Sequence, residues 1–136
     1  MKVLLDTNII LDALQERKPF DIEAKEILLR SQNNEYECCI TANAITDIFY
    51  LYSKARDIRS ARSVTSFLLK NYTVVSITHK NCIDAMSLPI KDFEDALVIV
   101  CAIQAGANYI ITRDKKLLQS ESSVPIITTD DFLRKI

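Results

Sequence analysis

Glycine is almost missing from this chain. Gly106 is the only one in 136 residues, and prolines occur only at 19, 89 and 125. Without a Gly/Ser/Pro-rich stretch there is no candidate linker, and no repeat or low-complexity tract appears, so residues 1–136 read as one domain. The first strand–helix turn carries no glycine, which excludes a dinucleotide fingerprint, where the backbone must approach a pyrophosphate. Tryptophan is absent and His79 is the only histidine. The four cysteines, Cys38, Cys39, Cys82 and Cys101, have no metal-ligand spacing. They argue against zinc and read as small, reduced core residues. No apolar run approaches the roughly 18 residues that span a bilayer. Asp6 interrupts the N-terminal apolar run too early for a signal peptide, so the expectation is a cytoplasmic protein with no membrane partner. Neither charge sign dominates: 17 basic and 18 acidic residues leave a net charge of −1. The surface is therefore not basic overall, although segregated charge still permits a nucleic-acid contact.

What is present suffices for one real core: 49% of residues are hydrophobic and 26% charged. Residues 2–5 read as a strand, followed by a helix near Asn8–Gln15. A helix from about Asp21 to Ser31 has Ile22, Ile27 and Leu28 as expected core positions. Tyr36–Ile40 is the second strand. The next helix starts at Thr41 and sets Ile45, Ile48, Phe49 and Tyr52 at helical spacing toward the core, with Asn43, Asp47, Tyr50 and Lys54 on the other face. Helices over Arg59–Asn71 and His79–Ser87 flank a strand at Val74–Ile77. Asp92 caps a helix to about Gln104 whose body, Ala96–Ile103, is apolar all round, as a buried helix requires. Gly106 suits the left-handed residue that ends such a helix. Tyr109–Ile111 and Pro125–Ile127 are strands, and Asp130–Arg134 is a last helix. Strands alternating with helices predict an α/β fold with a parallel sheet covered on both faces.

The chemistry lies in acids at element ends. Val3-Leu4-Leu5 runs into Asp6, and Tyr109-Ile110-Ile111 runs through Thr112 and Arg113 into Asp114. Open α/β sheets bind ligands beyond the carboxyl ends of their strands, so both acids are expected at one edge. Asp95 falls in the first turn of the buried helix, and Asp47 on the polar face of its own. Each has a simpler explanation as a cap, a first-turn anion or a solvated charge. Together they would crowd negative charge that needs compensation, and oxygen donors without histidine or cysteine suit Mg²⁺ or Mn²⁺. Asn8 and Thr112, and Asn43 beside Asp47, are candidate supporting residues that orient a carboxylate or serve turns and caps. Lys54, Arg56, Arg59 and Arg62 form a local basic cluster, readable as a solvated helix face or as a phosphate-tracking surface.

Three segments, Asp6-Thr7-Asn8-Ile9-Ile10-Leu11-Asp12, Asp92-Phe93-Glu94-Asp95-Ala96-Leu97 and Ile110-Ile111-Thr112-Arg113-Asp114, resemble the signature segments of PIN-domain ribonucleases, in the right order across nearly the whole chain. The resemblance implies a PIN-like, Rossmann-like three-layer sandwich with a central parallel sheet. It implies a metal-dependent endoribonuclease that cleaves single-stranded RNA with metal-activated water. Asp6, Asp47, Asp95 and Asp114 are then catalytic, and Asp6, Asp95 and Asp114 hold Mg²⁺ or Mn²⁺. Asp47 stands where the family commonly has a glutamate, one methylene longer, and the Ile45-Thr46-Asp47-Ile48-Phe49-Tyr50 form resembles a branch of small bacterial members. Such members include VapC-type toxins, which implies an antitoxin protein partner and a homodimer. The alternatives are a non-catalytic PIN-like module that binds RNA or protein, and a haloacid-dehalogenase-like phosphatase. The latter wants an aspartate two residues after Asp6, where this chain has Asn8.

Overall fold

The computed structural model describes all 136 residues. In chain order the elements are β1 (Lys2–Leu5), α1 (Thr7–Leu14), α2 (Asp21–Gln32), β2 (Glu37–Thr41), α3 (Ala42–Ala55), α4 (Ile58–Asn71) and β3 (Thr73–Val75). There follow α5 (His79–Ser87), α6 (Phe93–Ala105), β4 (Tyr109–Ile111), α7 (Lys115–Leu118), β5 (Ile126–Ile127) and α8 (Thr129–Lys135). The five strands make one sheet in the order β3-β2-β1-β4-β5, and every pairing is parallel. This is the expected α/β three-layer sandwich.

Residue alternation along the strands splits the core in two, because successive strand side chains leave opposite faces of a sheet. Val3, Leu5, Cys38, Ile40 and Ile111 pack on one face with α1, α2 and the buried sides of α3, α4 and α8. Leu4, Cys39 and Ile110 pack on the other with α6. Adjacent Cys38 and Cys39 thus enter different cores. Burial pushes the Cys38 thiol up to about 12 and those of Cys39 and Cys101 to about 11, so all three stay protonated and inert at neutral pH. All four cysteines are free.

Helix α6 runs buried from Asp95 to Ala102 without interruption, and Gly106 ends it at φ 69° as expected. Two sequence expectations are corrected here. Ile103 is half-exposed, because the helix has by then left the sheet surface. Ile22 is 72% exposed, because α2 buries the stripe Ala24, Ile27, Leu28 and Ser31, and two residues before Ala24 is the opposite side of a helix. On α3 the buried stripe is Ala44, Ile48 and Tyr52, with Ile45 and Phe49 only half-buried. No helix is long and apolar enough to cross a membrane.

The topology places the site. Parallel strands bring every carboxyl end to one edge of the sheet. From β1 the chain moves outward to β2 on one side and returns to β4 on the other. The crevice beyond β1 and β4 is therefore the switch point at which such sheets take ligands.

Candidate active site

Asp6 leaves the end of β1 and caps α1. Its backbone N–H donates to the Ile111 carbonyl (3.0 Å), which extends the β1–β4 ladder by one bond. Its Oδ1 accepts from the Thr7 N–H at 2.8 Å and its Oδ2 from the Thr112 hydroxyl at 2.8 Å. Thr112 is fully buried, and its Oγ1 also accepts from the Asp114 N–H at 3.0 Å. One hydroxyl thus ties the residues after β1 and β4 together. Asp114 then caps α7, its Oδ1 accepting from the Lys116 N–H at 3.0 Å. Both cap readings made from sequence are correct.

Asp92 caps α6 by accepting from the Asp95 N–H at 3.1 Å. This fixes the backbone from which Asp95 enters the crevice. Only 9% of Asp95 is exposed. Burial raises its carboxyl from the ordinary range to about 6, with repulsion from Asp92, Asp114 and Asp6 adding to the rise and Lys116 opposing it. Burial also raises Asp6, against its bonds from Thr112 and Thr7, and Asp114 repels it further. Glu94 is raised by burial and then by Asp47, Asp6 and Asp92. These mutual repulsions mean that acids far apart in sequence face a common space.

That space is a cleft of about 350 Å³. Asp6, Asp47, Asp92, Glu94, Asp95 and Asp114 line it, with Thr7, Asn8, Tyr50 and Leu51, and no basic side chain is among them. All four predicted aspartates therefore line one cleft. Glu94 is a further member, beside Asp95 in the first turn of α6. Of the supporting residues, Asn8 lines the cleft and accepts from Arg17 Nη1 at 3.2 Å. Thr112 stands buried behind Asp6. Asn43 is corrected: it does not line the cleft, and its Oδ1 accepts from the Thr41 hydroxyl at 2.6 Å at the β2–α3 junction.

The nearest cations are diverted. Arg113, between Thr112 and Asp114, turns away to grip fully buried Asp12 with Nε at 2.7 Å and Nη2 at 3.1 Å. Its guanidinium lies 4.1 Å from the centroid of the Phe20 ring. Arg17 approaches the same carboxylate at 4.0 Å. At the rim, Lys116 Nζ is 3.7 Å from Asp92. The cleft is left with oxygen donors, negative charge and elevated carboxyl pKa values, the donor chemistry of a hard divalent cation. No three of the acids converge closely enough to grip one ion as they stand.

The sequence model of the PIN domain family matches residues 2–116, a span that holds all four aspartates. The chain is 26% identical over 142 residues to Ribonuclease VapC1 of Aquifex aeolicus, covering 98% of this chain and 94% of that protein. Among solved structures it is similar to VapBC2 of Rickettsia felis bound to a promoter DNA fragment (TM-score 0.70, 18% identity, 93% of this chain and 97% of that one). It is also similar to VapC20 of Mycobacterium tuberculosis, a Sarcin–Ricin loop cleaving toxin (TM-score 0.68, 12% identity, 85% and 92%). At these identities the structural likenesses concern the fold.

Proposed function

The chain belongs to the PIN-domain family, and from that premise we propose that it is a metal-dependent endoribonuclease acting on single-stranded RNA. The observation that carries the reading is the cleft at the sheet switch point, where six carboxylates meet with no basic side chain in the lining. In this reading Asp6, Asp95 and Asp114 hold Mg²⁺ or Mn²⁺ and Asp47 completes the site. A bound ion of this kind would supply a nucleophile at neutral pH and neutralise developing charge on a phosphodiester. The protein's own groups set the stage. Thr112 and the Thr7 N–H orient Asp6, Asp92 fixes the backbone of Asp95, and Asp12 holds Arg113 outside the cleft lining.

The ribonuclease named in the Aquifex relative, aligned over nearly its whole length, supports the reaction class. Solved relatives from Rickettsia felis and Salmonella typhimurium are VapBC assemblies, and one from Klebsiella pneumoniae is a toxin–antitoxin complex. They support a toxin role with a protein antitoxin, and we place a homodimer and a cytoplasmic site of action in the same proposal. The phosphatase alternative falls with the family assignment. The non-catalytic alternative draws on one observation, the short Asp47 where a longer acid is usual. Both are tested together by RNA cleavage in Mn²⁺ and by calorimetric titration of the ion. Cleavage abolished by Asp6→Asn or Asp95→Asn in folded protein supports the enzyme. Equal activity in wild type and both variants overturns it, and no saturable Mn²⁺ binding favours the inert module.

A further inference from the structure

An acidic cleft repels a polyanion, so the grip on a nucleic-acid strand has to come from surfaces beside it. One wall of the cleft is the outer side of α3, where Tyr50 and Leu51 follow Asp47. Ala44, Ile48 and Tyr52 supply the buried stripe of α3, so packing does not use Tyr50, which is 58% exposed. One turn further, Lys54 lies with Nζ 5.3 Å from the Tyr50 ring centroid. Beyond it come Arg56, which ends α3, and Arg59 and Arg62 in the first turns of α4, all exposed. None of these four cations takes part in the ion pairs of the protein. The one acid in the run, Asp57, is committed as the cap of α4, accepting from the Ser60 N–H at 2.7 Å.

We propose that this hairpin is the strand-holding surface of the protein: an unpaired base stacks on Tyr50 at the cleft lip, and Lys54, Arg56, Arg59 and Arg62 follow the phosphates beyond it. The proposal rests on the ribonuclease reading and adds the residues that hold substrate outside the cleft. The reach is suitable. Nine helical residues from Asp47 to Arg56 span about 13 Å, or about four phosphates of stacked strand. Arg59 and Arg62, three apart, share a face of α4. An exposed aromatic ring accepts any unpaired base but not one closed inside a duplex, which selects single strands. Lys54 beside the ring places a cation where the phosphate flanking a stacked base would lie.

The test measures binding, so that it stands whether or not the protein cleaves. Fluorescence anisotropy follows a labelled single-stranded RNA of about 12 nucleotides on an Asp6→Asn background in EDTA. Tyr50→Leu should weaken binding about 10-fold, while Tyr50→Phe and Tyr50→Trp stay near the parent, because stacking needs only an aromatic face. Combined Lys54→Gln, Arg59→Gln and Arg62→Gln should flatten the slope of log affinity against log salt by about 2, for three lost phosphate contacts. Equal binding by Tyr50→Leu and Tyr50→Phe, or an unchanged salt slope, overturns the proposal. So does intact RNA binding with an altered oligomeric state on gel filtration, which would assign the face to a protein contact. Binding that behaves as described in a protein that never cleaves RNA would sink the nuclease reading alone.

Discussion

Asp95→Asn isolates the electrostatic cost of the cleft, because amide and carboxylate have nearly the same shape. The carboxyl of Asp95 is raised from 3.8 to about 6 by burial and by Asp92, Asp114 and Asp6. A two-unit rise corresponds to about 3 kcal/mol at pH values above the folded pKa. That is a ceiling, because the cleft admits water that screens the repulsion. Asn also forfeits a favourable charge in the first turn of α6, worth about 0.5 kcal/mol. The net expectation is a variant more stable than wild type by about 1–2 kcal/mol at pH 7.5, or roughly 5 °C in melting temperature for a chain of this size. The direction with pH follows from the linkage. The unfolded chain ionises Asp95 near its ordinary pKa and the folded chain only near 6. Wild type therefore loses this increment as pH rises from about 4 through 6, and the gain of the variant shrinks toward zero at pH 4. Thermal melts in EDTA across pH 4–8 read it directly. Added Mn²⁺ should then reverse the ranking, since an ion at 100 times its dissociation constant stabilises only the protein that binds it, by about 2.7 kcal/mol. A variant no more stable than wild type at pH 7.5, or a gain equal at pH 4 and pH 7.5, would refute the reasoning.

Two further outcomes follow from the same geometry. Thr112→Val keeps the shape of a fully buried residue but removes the donor to Asp6 and the acceptor for the Asp114 N–H. RNA cleavage should fall at least about 10-fold in kcat, the scale on which loss of an orienting partner acts, with little change in KM; an unchanged kcat would show that this hydroxyl does not position Asp6. Arg113→Met should lower unfolding free energy in urea by about 2–4 kcal/mol, because it strands the buried Asp12 carboxylate with only Arg17 at 4.0 Å. A loss below about 1 kcal/mol would refute a structural role for this buried pair.

Much of the fold was legible because its elements are locally consistent. The Cys38–Cys39 pair obeys strand alternation, Gly106 ends α6 in the left-handed conformation, and Ala96–Ala102 of α6 is apolar on all sides because that stretch is buried on all sides. The acids at strand ends were legible for a topological reason, since parallel strands share one carboxyl edge. What escaped depends on contacts between distant residues. Asp12 and Arg113 are 101 positions apart, so no local pattern joins them. Glu94 looks like any first-turn acid until Asp47, on another helix, is seen to face it. Ile22 was misplaced because a helix phase drawn from three apolar residues is weakly determined, whereas Ala24 and Ser31, small enough to be overlooked, lie on the buried side.

The pairing of Asp12 with Arg113 gives the sequence Thr112-Arg113-Asp114 a sense that its composition hides. An arginine one residue from a cleft of acids would be their natural counterion, and a cleft so neutralised would hold no metal. Burying Asp12 at 0% exposure and offering it in a fork geometry makes it the stronger partner for a guanidinium, since a bidentate charge-assisted pair exceeds a solvated single contact. The Phe20 ring covers the same guanidinium and further restricts its return. One acid thus holds the guanidinium beside the cleft, from where its charge only partly offsets the rise of Asp6. Burial first, and repulsion among the acids second, raise Asp6, Asp95 and Glu94 together, and a bound cation would relieve that repulsion. On this view, the buried ion pair behind the cleft belongs to the function as much as the acids that line it.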